Sequence, residues 1–109
     1  GLGGLGAYEE AKDRGAGYWV IGTDTCKDQL APDNYLTSAT KDVAGSVFRA
    51  ASQVADGTFA GGVETLGLAG GYVGVCEKTF GDLPQNVRDD VSSAIESIKN
   101  GTVTVDPGV

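Results

Sequence analysis

Gly1-Leu2-Gly3-Gly4-Leu5-Gly6-Ala7-Tyr8-Glu9-Glu10-Ala11-Lys12-Asp13-Arg14-Gly15-Ala16-Gly17-Tyr18-Trp19-Val20-Ile21-Gly22-Thr23-Asp24 is a glycine loop, a helix and a strand in succession. Residues 7–14 are mostly helix formers, and Gly15 is a natural C-cap. Acid early and base late in this stretch suit the helix dipole. Residues 18–21 are aromatic and β-branched, which predicts a strand. The run is continuously apolar, as in a parallel sheet covered on both faces, and it ends at Gly22-Thr23-Asp24.

The same alternation continues downstream. Pro32-Asp33-Asn34 is a turn, and Tyr35-Leu36-Thr37 is a short strand. A helix is expected from Ser38 to Ala55, with Val43, Val47, Ala50, Ala51 and Val54 at helical spacing. Residues 58–71 are glycine-rich, with short strands expected at Val63 and Leu66-Gly67-Leu68. Residues 72–76 are a better strand. Asp82-Leu83-Pro84 opens a last helix striped by Val87, Val91, Ala94, Ile95 and Ile98, and Asn100-Gly101 closes it. Thr102-Val103-Thr104-Val105 is expected as a final strand. Strands alternating with helices place the chain in the α/β class as a single domain over residues 1–109.

Composition removes several functions. The chain has 109 residues, 8 basic and 15 acidic, and a formal charge of −7, so it offers no clustered cations for a nucleic-acid backbone. It has no histidine, which excludes Ser-His-Asp and Cys-His catalysis. Two cysteines without histidine do not make a structural zinc site. Asp24, Asp28 and Asp33 lack the spacing of an EF-hand loop, so no metal is expected. No apolar run reaches the 18 or so residues of a membrane helix. Asn100-Gly101-Thr102 matches a glycosylation sequon, but Gly101 serves better as a helix cap. Tyr18 and Trp19 are expected in the core, and Phe48, Phe59 and Phe80 in packing roles.

The opening glycines admit more than one reading. Gly1, Gly3 and Gly6 fit the dinucleotide pattern G-x-G-x-x-G, and Asp24 follows Gly6 by 18 residues, near the ~20 expected of a ribose-binding acid. That pattern needs a strand immediately before the glycines. A plainer reading is a loop that permits close helix packing.

A third reading comes from resemblance. Gly4-Leu5-Gly6 with residues 7–12, Val20-Ile21-Gly22-Thr23-Asp24 followed by Asp28-Gln29, Leu36-Thr37-Ser38-Ala39-Thr40-Lys41, Asp56-Gly57-Thr58-Phe59-Ala60-Gly61-Gly62, and Leu66-Gly67-Leu68 before Gly71-Tyr72-Val73-Gly74 form ordered blocks. Leu83-Pro84 and the last helix, with Gly101 to Val105, complete them. Together they resemble the C-terminal third of the basic membrane protein family, nucleoside-binding lipoproteins that feed ABC transporters. The chain departs from the family pattern at Cys26 and Lys27, which look like an insertion between the two aspartates.

The resemblance implies a Rossmann-like lobe of a type I periplasmic binding protein fold, present in part, with the N-terminal lobe and its base-stacking aromatics missing. It implies binding rather than catalysis, no cofactor, a purine nucleoside ligand, an ABC transporter permease as partner, and an extracytoplasmic site, either lipid-anchored or periplasmic. The positions matching the family's ribose contacts are Asp24 and Lys41, with Gly4 and Gly6 letting backbone approach the sugar. A carboxylate accepts and an ammonium donates, so the pair suits vicinal hydroxyls. The alternatives are a dinucleotide-binding domain of an oxidoreductase and a structural fragment without activity. The chain begins with glycine and reads as a processed or excised piece.

Two further expectations follow. Cys26 and Cys76 each lie just past a strand; if those strands are parallel neighbours, the thiols share one sheet edge, and an exported protein would join them as a disulfide. The other possibility is two ordinary thiols. Apolar surface left open by a missing lobe, together with a sheet edge, also predicts a homodimer or a strand-exchanged assembly.

Overall fold

The computed structural model describes residues 4–106. Its elements are α1 (Leu5–Arg14), β1 (Val20–Asp24), β2 (Tyr35–Lys41), α2 (Val43–Ala55), β3 (Val73–Val75), α3 (Glu77–Phe80) and α4 (Gln85–Lys99), with 3-10 turns at Asp28–Leu30 and Leu68–Gly70. The sheet order is β1-β2-β3; β1 runs parallel to β2, and β3 runs antiparallel to it.

Helix α1 ends where expected. Gly15 takes φ +75° and its N–H donates to the carbonyls of Ala11 and Lys12. The strand that follows starts at Val20 rather than Tyr18. The reason is Asn34, which is buried and donates through Nδ2 to Gly15 O and Tyr18 O, each at 2.8 Å. Those carbonyls are thereby held by a side chain in the α1–β1 connection, and the Val20 N–H is the one that reaches Asn34 O, at 2.8 Å. Tyr18 and Trp19 are exposed, contrary to the expected core placement, and Arg14 lies over the Tyr18 ring.

Residues 38–41 are the second correction, since they extend strand β2 instead of opening a helix. Ser38 is fully buried, and its Oγ lies 2.7 Å from Tyr35 Oη. Strand β2 is central, so its backbone groups are consumed on both sides. The helix begins after Asp42, whose carboxylate accepts the Gly45 N–H at 2.8 Å. Ser38 and Asp42 are both N-cap residue types, and strand pairing selects the later one.

The strands expected at residues 63, 66–68 and 102–105 are absent. Residues 58–71 form an irregular loop held to α2 by the Arg49–Glu64 ion pair, with Nη2 and Oε1 2.6 Å apart. After α4 the chain turns on itself. Gly101 takes φ +78°, and the Thr102 N–H and Oγ1 both reach Asn100 Oδ1. The strands at Val20–Asp24 and Val73–Val75 are not parallel neighbours either, because β2 lies between them and β3 runs the other way.

The core is small. Tyr8, Ala31 and Tyr35 pack together, with Val20 and Leu30 against them. The apolar stripe expected on α2 is present in sequence, but Val43, Val47 and Val54 are exposed, as are Phe48 and Phe59. The radius of gyration is 16.8 Å, against about 13 Å for a compact domain of this length, and α2 contributes no buried residue to the core. Among the described residues no helix is long and apolar enough to cross a membrane.

Candidate functional site

The parallel pair β1 and β2 places two side chains at its C-terminal edge. Asp24 is the last residue of β1 and is paired with Thr40, the neighbour of Lys41 at the end of β2. Asp24 is the one non-glycine residue with positive φ, +73°, among those described. Aspartate visits this left-handed region more readily than most residues. The chain reverses here, with the Thr25 N–H donating to Thr23 O at 3.0 Å. Such backbone outliers cluster at functional sites because surrounding structure must hold them.

Lys41 Nζ lies 3.3 Å from Asp24 Oδ1. Their side chains are 64% and 48% exposed, so the pair is solvated and is worth at most about 1 kcal/mol to the fold. Both residues line an open cavity of about 570 Å³, within the range of small-ligand sites. Thr25, Thr40, Asp42 and Tyr72 stand beside them, and Leu68, Ile95 and Lys99 bring in the 3-10 turn and α4. In open α/β sheets, ligands bind beyond the carboxyl ends of parallel strands.

The glycines proposed with this pair stand elsewhere. Gly4 is the N-cap of α1 and lines a separate cavity of about 350 Å³ with Tyr8, Ile21 and Lys27. Gly6 lies inside α1. The dinucleotide pattern also needs Gly1 and Gly3, which lie outside the described residues. Tyr72, Thr40 and Asp42 were not singled out by sequence. Tyr72 is placed by its carbonyl, which accepts the Asp42 N–H at 2.8 Å, and this long-range contact leaves no local signature.

A clamp lies next to the pair. Cys26 and Cys76 are joined as a disulfide with Cα atoms 5.3 Å apart. Beside it, Lys78 Nζ donates to the Asp28 carboxylate, and this hydrogen bond holds Asp28 below the usual carboxylate pKa.

Residues 1–106 match the family described as ABC transporter substrate-binding protein PnrA-like. The chain belongs to this PnrA-like family. It is 38% identical over 107 residues to basic membrane protein A of Borreliella afzelii, covering 96% of this chain and 33% of that protein. It is 47% identical over 77 residues to basic membrane protein A of Borreliella burgdorferi, covering 68% of this chain and 22% of that protein. The chain thus spans about a third of the length of the first of these PnrA-like relatives.

Solved structures support the fold. An ABC transporter solute-binding protein from Aeropyrum pernix K1 superposes with a TM-score of 0.70 at 24% identity, covering 99% of this chain and 38% of that one. A transcriptional activator of the comK gene from Bacillus halodurans superposes at 0.77 with 22% identity, covering 94% and 35%. At these identities the likeness speaks for the fold alone: a partial periplasmic-binding-protein α/β lobe.

Proposed function

We propose that this chain forms part of an extracytoplasmic substrate-binding protein that delivers a purine nucleoside to an ABC transporter permease, and that Asp24 and Lys41 hold the ribose. The observation that carries the reading is the solvated Asp24–Lys41 pair on an open cavity at the carboxyl edge of β1 and β2. It contributes little to stability and presents an acceptor and a donor side by side, which is what two neighbouring hydroxyls need. Membership of a PnrA-like substrate-binding family supports a ligand and a transporter as partners. The chain acts by binding, without catalysis.

A second lobe closing over the cavity, and pairing with a second copy, belong to the same proposal. They are supported by Val43, Val47, Phe48 and Val54, which leave an apolar stripe of α2 open. Calorimetric titration of the full-length protein that carries this chain with adenosine, guanosine, inosine, the free bases and NAD tests the reading. Nucleosides are expected to bind and free bases to bind poorly. Tight NAD binding with no nucleoside binding would overturn it.

A further inference from the structure

The loop that follows Asp24 is tied down at residues 26, 27 and 28. Cys26 lies two residues beyond Asp24 and is bonded to Cys76. Cys76 is firmly held just past β3. It is 1% exposed, its N–H donates to Ser38 O at 2.9 Å, and its carbonyl accepts from the N–H groups of Thr79 and Phe80. Asp28 is tied to Lys78, so the loop and the start of α3 are joined twice, once covalently and once by charge. Between these ties, the Lys27 N–H donates to Tyr35 Oη at 3.3 Å, and Lys27 Nζ donates to Thr23 O at 2.7 Å. Tyr35 Oη in turn meets the buried Ser38 Oγ.

These ties lead from residues 26–28 to β1, β2 and the start of α3, and Asp24 sits just before them with φ +73°. A residue in that conformation keeps it only where its surroundings impose it. We infer that the Cys26–Cys76 link, with Asp28–Lys78 beside it, is a positioning device for the ligand site: it fixes the 25–28 loop so that the Asp24 carboxylate stays beside Lys41, and opening it weakens ligand binding. Cys26 and Cys76 touch no ligand in this account; they act through Asp24. The inference rests on the ribose reading for its effect on binding, while its effect on the loop stands independently.

Reduction by a water-soluble phosphine opens the link: the S–S bond breaks, each sulfur takes a proton, and the phosphine becomes its oxide with oxygen from water. The test uses the full-length protein, oxidised and reduced, with Cys26→Ser and Lys78→Gln variants. Cys26 is only partly buried, so its replacement avoids disturbing the buried Cys76 site. Two readouts are taken. Amide exchange at residues 25 and 27 should quicken at least tenfold on reduction or in Cys26→Ser, and less in Lys78→Gln, while amides of β2 keep their protection. Adenosine affinity should fall about five- to tenfold with adenine affinity unchanged.

Unchanged exchange at residues 25 and 27 after opening the link would overturn the inference, as would equal loss of protection across β2. If exchange quickens but adenosine affinity holds, the link does not position the ligand site, and the inference fails on its functional half. If Asp24→Ala also leaves adenosine affinity intact, it is the ribose reading that fails, and the exchange arm alone decides the loop.

Discussion

Asp24 Oδ1 and Lys41 Nζ stand 3.3 Å apart at the ends of two parallel strands, close to water and close to each other. The sheet register brings them together, because Asp24 pairs with Thr40 and Lys41 is the next residue. An exposed pair of this kind stabilises a fold by well under a typical hydrogen-bond network. This pair lines the open cavity on which the proposed ligand site rests.

Asn34 holds the connection between α1 and β1. Its Nδ2 serves two carbonyls, Gly15 O and Tyr18 O, from a buried position. Asn34→Ala removes this shared donor, leaving Gly15 O only the Tyr18 N–H at 3.4 Å, and should cost about 2 kcal/mol, within the usual range for a buried polar loss. Urea unfolding measures it; a shift under about 0.5 kcal/mol would show that water replaces the amide without cost.

Gly22 lies where β1 passes closest to the core. A Cβ there would meet Ser38 Oγ and Tyr8 Oη, and both of those residues are buried. Gly22→Ala should destabilise by about 1–3 kcal/mol, the usual cost of overpacking. Thermal melts of the variant would contradict this by showing an unchanged midpoint.

The Cys26–Cys76 link closes a stretch of 50 residues. On the chain-entropy account, a loop of that size is worth about 4 kcal/mol at 25 °C. Reduction should therefore lower the unfolding free energy by about 2–4 kcal/mol. Paired denaturant curves with and without reductant test this, and coincident curves would contradict it.

Two carboxylates make stability fall in acid. Lys78 hydrogen-bonds Asp28 and Arg49 hydrogen-bonds Glu64, and both acids titrate below their ordinary values. A depressed folded pKa means the stabilisation is fully present above the unfolded value, near pH 4, and is lost as pH falls through the folded one. Melting temperature should be level near neutrality and drop below about pH 4. Asp28→Asn combined with Glu64→Gln should flatten that drop, and an identical acid profile in the double variant would contradict the assignment.

Much of the fold was legible from local pattern. Gly15 and Asn100-Gly101 marked helix ends because positive φ is a local demand that glycine meets. The stripes of α2 and α4 marked the helices themselves. What failed was decided at long range. Ser38 to Lys41 read as a helix start, and pairing on both sides made them strand. Thr102 to Val105 read as a strand, and the Asn100 side chain turned the chain instead. The direction of β3 has no local code, so the thiols were placed at one edge by a mistaken topology, while the structure joins them through a loop after β1. At the site, Lys41 was legible only through family resemblance, and Asp24 also through its spacing from the opening glycines. Tyr72 was not legible at all, because a carbonyl contact to Asp42 sets its position.

The most direct test of the binding account is the affinity of the full-length protein for adenosine in Asp24→Ala, set beside its affinity for adenine. Removing one partner from a sequestered hydroxyl costs about 1–3 kcal/mol, and 1.4 kcal/mol is tenfold in affinity. The account predicts that Asp24→Ala weakens adenosine binding at least about tenfold, that Lys41→Ala does the same, and that adenine binding changes with neither. Unchanged adenosine affinity in Asp24→Ala would contradict it.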